Sequence, residues 1–218
     1  MIRLHHVPLA RSLRVLWLME ELGLESEVRY YSIRDGSLRS PEFLALSPAG
    51  RVPVLEHEGA VWFESVAIVQ MLCETYPEAG LAPQPGNPAR AAYLEMLSLS
   101  ETVGCLLENL NLNQVFLRPP ARPSATVIKL LNARLRAALA AIEVRFTADY
   151  LLPAGFSAAD IMFAYCFELA RYYVDLTAYP RLMAYWAQLR ERPGYRRAKA
   201  RDGEQDIYTQ DFYPVPEG

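Results

Sequence analysis

The chain has 218 residues, 52% of them hydrophobic and 22% charged, with a formal net charge of −3. That is the composition of a folding globular protein with enough length for one large core or two small ones. A mildly acidic balance argues against a nucleic-acid binder, which carries a basic surplus, and no stretch approaches the roughly 18 apolar residues of a membrane span. The three cysteines, Cys73, Cys105 and Cys166, form no CxxC and no Cys/His cluster of zinc-ligand spacing. They read as buried thiols in a reducing compartment. The N-terminus carries no secretory pattern, so the expectation is a cytoplasmic protein with no membrane and no metal.

The predicted elements begin with a short strand, Ile2–His6. Val15, Leu18, Met19 and Leu22 then recur at helical spacing, and Gly23 supplies the stop. Residues 28–33 read as a second strand. Ser40-Pro41-Glu42 is a helix start, with Ser as cap and Pro in the first position. Val52–Leu55 and Ala60–Phe63 read as a hairpin turning at Glu58-Gly59, and a helix follows from about Ser65 to Tyr76. LAPQPGNP, residues 81–88, reads as a linker. Beyond it the pattern is helical: 89–112, 125–148, 158–173, 180–191 and 194–200. The Arg/Lys cluster over 190–201 reads as a solvated helix face. The boundaries are therefore residues 1–80 for a β-α-β-α-β-β-α domain, 81–88 for the linker, and 89–218 for an all-helical domain ending in an irregular tail.

The segment RVPVLEHEGAVWFES carries the chemistry. Pro53 has no N–H for a ladder, so a proline within a strand marks an edge or a bulge. A cis bond there turns the Val52 backbone outward, where its N–H and C=O can pair with an extended peptide. Glu64-Ser65 stands at a helix N-terminus. Backbone N–H groups and the Ser65 hydroxyl can hold a carboxylate there, and Glu64 can take an ammonium. Together these features fit a small peptide with an α-amino-acid head group. Ser157-Ala-Ala-Asp160 reads as a capping box, structural rather than catalytic.

With SPAGRVPVL, Glu64-Ser65, FSAADI and HHVPLARSLRVLWLMEELGL in place, the chain resembles the glutathione S-transferase family, in its bacterial and fungal serine-type form, over nearly its whole length. The resemblance implies a thioredoxin-like N-terminal domain and an all-helical C-terminal domain. It implies Val52 at the glutathione cysteinyl backbone, Pro53 as the cis proline, Glu64 and Ser65 at the γ-glutamyl head, and Arg51 near the glycine carboxylate. It also implies a homodimer, a small hydrophobic electrophile as second substrate, and glutathione as co-substrate without metal or redox cofactor.

A free cysteine thiol has a pKa of about 8.5, so the site must supply donors or positive potential to ionise it. Families of this fold place Tyr, Ser or Cys at the end of the first strand or the start of the first helix. Here Tyr and Cys are absent from that region and Ala10 stands about where many serine-type relatives carry the hydroxyl. Ser12 remains, as thiolate donor or as the N-cap of the first helix. Arg11 and Arg14 either add positive potential or are solvated first-turn residues. His5 and His6 alternate faces of a strand, and His57 reads as solvated in the hairpin turn. Tyr93, Asn109, Asn111, Asn113, Phe116, Tyr165 and the RPP run at Arg118–Pro120 are candidate electrophile contacts. The leading function is glutathione conjugation in detoxification. The alternatives are a glutathione-dependent isomerase or peroxidase at the same site, and a non-catalytic binding protein that has lost the activating hydroxyl.

Overall fold

The computed structural model describes residues 2–146 and 148–216, and contacts divide the chain into two units. The first comprises residues 1–87 together with 190–207. The second comprises 88–189 together with 208–218.

In the first unit, β1 (Arg3–His6), α1 (Ser12–Glu21), β2 (Glu27–Tyr30), α2 (Pro41–Leu46), β3 (Val54–His57), β4 (Ala60–Phe63) and α3 (Ser65–Thr75) follow in the predicted order. The sheet order is β2-β1-β3-β4, with β1 parallel to β2 and β3 antiparallel to both neighbours. This is the thioredoxin-like arrangement. Ser40 caps α2 by accepting the Phe43 N–H at 3.2 Å, and Pro41 occupies its first turn, as the sequence implies. β3 begins only at Val54, so Pro53 lies outside the ladder that it would otherwise interrupt.

α1 is buried along its whole length, from Ser12 to Glu20, rather than on one stripe. The reason is α8 (Pro193–Asp202), which the sequence places with the helical half but which packs on α1 in the first unit. Its basic cluster is only in part a solvated face: Arg190, Arg196 and Arg197 are exposed, while Arg192, Lys199 and Arg201 are half-buried and several of these cations pair with acids of α1. Arg192 grips Glu21 through two 2.9 Å bonds, Arg197 Nε reaches Glu20 at 2.8 Å, and Arg201 Nη1 reaches Glu20 at 2.6 Å. Complementary acids on α1 explain the cluster, and acids 170 residues upstream leave no local signature.

Both β1 histidines are buried. His5 bridges Tyr31 Oη and Glu56 Oε1, each at 2.9 Å. His6 Nε2 lies 3.0 Å from the carbonyl and 3.1 Å from the Oδ1 of Asp202. His57 is buried too, against the expectation, because β3 is an inner strand and the ring packs near Tyr76.

The second unit contains α4 (Arg90–Gln114), α5 (Ala125–Arg145), α6 (Ala158–Ala170) and α7 (Pro180–Arg190), with α4 packed on α5 and α6. The predicted 125–148 helix ends at Arg145, and Thr147 lies outside the described residues. The capping box forms as expected: Ser157 N–H donates to Asp160 Oδ2 at 2.7 Å. Asp160 also accepts from Leu151 N–H and Tyr185 Oη, so this carboxylate joins three segments. Burial raises its carboxyl pKa, against the pull of those donors. The tail folds onto this unit. Tyr208 stacks on Tyr172 with centroids 3.7 Å apart, Tyr213 N–H donates to the Tyr172 carbonyl at 2.8 Å, and Gln114 Nε2 donates to the Pro214 carbonyl at 2.9 Å. No helix among the described residues is long and apolar enough to cross a membrane.

Asp202 ties α8 to the sheet and to the loop before α1, since its Oδ1 also accepts the Leu9 N–H at 3.0 Å. Burial alone would raise its carboxyl pKa. His6, Lys199 and Leu9 outweigh that and hold it below the ordinary 3.8. A carboxyl depressed by folding stabilises the fold above its unfolded value, and that contribution drains away as pH falls through the folded value. Thermal melts of wild type and Asp202→Asn should therefore differ most at neutral pH and converge below about pH 4. A gap independent of pH would refute the charged pairing.

Candidate functional site

Strand register assembles the site. β3 pairs Val54 with Phe63 of β4, so Val52-Pro53 enters the hairpin beside the point where Glu64-Ser65 leaves it. β1 pairs His5 with Val54 in antiparallel sense, which brings the β1–α1 loop to the same end of the sheet. Three segments distant in sequence, residues 7–12, 51–53 and 64–65, thus converge on one edge of the first unit.

Each predicted residue has a definite place there. The Val52–Pro53 peptide bond is cis. The backbone N–H and C=O of Val52 carry no hydrogen bond among the described residues, and Val52 is half-buried. Arg51 is exposed. Its backbone is held by Ser47, whose hydroxyl accepts the Arg51 N–H at 3.2 Å and donates to the Arg51 carbonyl at 2.9 Å. Gly50, at φ +63°, closes this loop. A Cβ there would stand 2.7 Å from Arg39 Nη1 and 2.9 Å from the Leu38 carbonyl, so only glycine fits. The Arg39 guanidinium thus lies against Gly50, the residue before Arg51. The sequence reading missed it because only the fold brings the residue against this loop.

Glu64 occupies the N-cap position of α3 with φ +72°. Its side chain makes no capping hydrogen bond and is exposed. Ordinary helix capping therefore does not account for this carboxylate. Ser65, the first residue of α3, is buried, and its Oγ accepts a 3.1 Å bond from Arg14 Nη1.

Ser12 is fully buried. Its hydroxyl accepts the Val7 N–H at 3.2 Å and lies 3.3 Å from the Val7 carbonyl as donor. It begins α1, while Arg11 holds the N-cap position. Arg11 is half-buried. Arg14, which a solvated first turn would expose, is completely buried. An arginine buried to this degree needs hydrogen-bond partners.

In the second unit, the predicted electrophile contacts are largely occupied in structure. Asn109 and Asn113 side chains bond carbonyls one turn back on α4, at Cys105 and Asn109. Asn111 Oδ1 accepts a short bond from Tyr173 Oη. Tyr93 and Tyr165 are buried, and Phe116 is half-buried.

The family model for the glutathione S-transferase N-terminal domain matches residues 10–75. Glutathione S-transferase 3 of Schizosaccharomyces pombe is 38% identical over 76 residues, which cover 35% of this chain and 31% of that protein. Glutathione S-transferase 3 of Zea mays is 27% identical over 213 residues, covering 91% of this chain and 93% of that one. Among solved structures, a glutathione transferase of Methylococcus capsulatus aligns with a TM-score of 0.80 at 26% identity, over 93% of this chain and 98% of that chain.

The backbone at position 64 can be tested apart from the carboxylate. A non-glycine residue held at positive φ costs on the order of 1–3 kcal/mol. Glu64→Gly should therefore unfold in urea at higher denaturant than Glu64→Ala, by about 1 kcal/mol after the entropy cost of glycine. Equal stability of the two variants would show that position 64 holds no strain.

Proposed function

This chain belongs to the glutathione S-transferase family, and on that premise we propose that its first unit binds glutathione and activates the thiol for attack on a small hydrophobic electrophile. The observation that carries the proposal is the Glu64-Ser65 pair beside the unpaired backbone of Val52. An exposed carboxylate unused by its own helix, a buried hydroxyl at a helix N-terminus and an available peptide edge complement a γ-glutamyl peptide.

Glu64 takes the ammonium of the γ-glutamyl head. Ser65 and the first N–H groups of α3 take its carboxylate. Val52 pairs with the cysteinyl backbone, beside Pro53, and Arg51 meets the glycine carboxylate, with Arg39 against the preceding Gly50. The thiol is then directed toward the β1–α1 loop. Each unit by which its pKa falls reflects roughly 1.4 kcal/mol of preferential stabilisation of the thiolate. The thiolate sulfur attacks the electrophilic carbon, a C–S bond forms, and the leaving group departs with its electron pair. Holding both reactants together removes much of the entropic barrier.

The geometry of Ser12 supports its helix-entrance role over direct donation to sulfur. Its hydroxyl is already engaged in both senses with Val7, behind the surface that a thiol would approach. Thiolate stabilisation then falls to the N-terminus of α1 and to Arg11. A homodimer accompanies this function. The edge strand β4 exposes Val61, Trp62 and Phe63, an apolar strip of the kind that association covers.

Titration calorimetry with reduced glutathione is the first test. Binding in the micromolar to millimolar range, lost in Glu64→Ala, is expected, together with turnover of a chloronitrobenzene. Binding without turnover of any electrophile or peroxide would favour the non-catalytic reading, and no binding at all would overturn the site. In Ser12→Ala the thiol pKa of bound glutathione should stay within about half a unit of wild type, while thermal stability falls. A rise of a full unit would make Ser12 the thiolate donor.

A further inference from the structure

Arg14 lies in the first turns of α1, yet its side chain is 0% exposed and its Nη1 is 3.1 Å from Ser65 Oγ. Ser65 is itself only 3% exposed. A serine hydroxyl offers one proton and two lone pairs, whereas a guanidinium offers donors only. The direction of this hydrogen bond is therefore settled by chemistry: Arg14 donates and Ser65 accepts. Arg14 can never receive the Ser65 proton. Among the described residues no other group accepts it either. The result is a buried hydroxyl with one lone pair engaged by Arg14 and its proton unspent, at the first residue of a helix whose opening N–H groups have no intrahelical acceptor.

We propose that Arg14 is a positioning residue for the α-carboxylate of the γ-glutamyl head, a role that rests on the glutathione reading above. Its bond to Ser65 Oγ fixes the hydroxyl rotor so that the proton faces the bound carboxylate. The same bond polarises the O–H, because a hydroxyl that accepts from a cation is a stronger donor. Without Arg14 the rotor is free, and the proton can turn away from the ligand. Arginine suits the task because its planar fork, once packed, holds a fixed direction that the rotating ammonium of lysine does not. The arrangement selects for a carboxylate and is indifferent to the rest of the peptide.

The test pairs variants of the full chain with two ligands in titration calorimetry. One ligand is reduced glutathione. The other is 4-aminobutanoyl-cysteinyl-glycine, which keeps the amine and the peptide but lacks the α-carboxylate. Arg14→Met is expected to weaken glutathione about tenfold and the truncated peptide less than about twofold. The Arg14→Met/Ser65→Ala double variant should bind glutathione no more weakly than Ser65→Ala alone, since both remove one directed donor. Arg14→Lys should fall between wild type and Arg14→Met. Circular dichroism checks that each variant is folded. If Arg14→Met is not, Arg14→Lys and its double variant with Ser65→Ala carry the same comparison.

Equal weakening of both ligands would overturn the proposal and make Arg14 a purely structural residue. So would unchanged glutathione affinity, or losses that multiply in the double variant. Each of those outcomes leaves the glutathione site standing, because wild type still binds. Failure of wild type to bind either ligand overturns the glutathione reading and the role of Arg14 with it.

Discussion

The constraint on which the first unit depends is the register of β3 between β1 and β4. Side chains alternate along a strand, so a slip of one residue would turn Val54 and Leu55 to the wrong faces of the sheet. Both are fully buried, and that burial penalises any slip. With Val54 opposite both His5 and Phe63, the ends of three connections meet at one edge. No residue of the candidate site needs to be placed individually. Val52, Pro53, Glu64 and Ser65 follow from the hairpin, and the β1–α1 loop follows from β1.

Around this sheet edge the first unit invests unusual amounts of buried polarity. Arg14, Ser12, His6 and Asp202 are all within the interior, and each has partners from another segment. Buried polar groups are costly when unmatched and strongly directional when matched. Apolar packing alone tolerates small slides, whereas these bonds hold the loop before α1 and the start of α3 to within hydrogen-bond tolerance. α8 completes the enclosure: its arginines neutralise Glu20 and Glu21 and let α1 be buried on every side. A helix late in the chain thereby supports a site built from its first third.

The second unit uses the same devices for stability. Asp160 binds the start of α6 to the segment before it and to α7 through Tyr185. Tyr172, Tyr173, Tyr208 and Tyr213 gather the tail against the end of α6 and the far end of α4. Burial raises the Tyr173 and Tyr208 phenols far above their ordinary pKa, so both remain neutral, and Tyr173 donates to Asn111. Of the asparagines that looked like ligand contacts, Asn111 bonds Tyr173 within this framework, and Asn109 and Asn113 bond carbonyls of their own helix.

What the sequence determined by itself is local. Helical and alternating periods set the order β-α-β-α-β-β-α and the helices after it. Ser40-Pro41 and Ser157/Asp160 marked helix starts through groups three residues apart, and Glu58-Gly59 marked the turn. The same local chemistry made Val52-Pro53 and Glu64-Ser65 legible as a candidate site for a peptide ligand, because each is a short motif read from its own backbone. Only the tertiary structure decided that His57 is buried, that Arg14 meets Ser65, that α8 belongs with α1, and that the tail packs with the second unit. Those outcomes depend on partners outside the local sequence window, some of them far off in the chain, as in Arg14 with Ser65 and His6 with Asp202. Periodicity says that a residue is covered, but a distant partner leaves no mark in the residues nearby. The same limit explains Ser12: its position at a helix entrance is readable in the chain, but the engagement of its hydroxyl with Val7 appears only when the loop is closed.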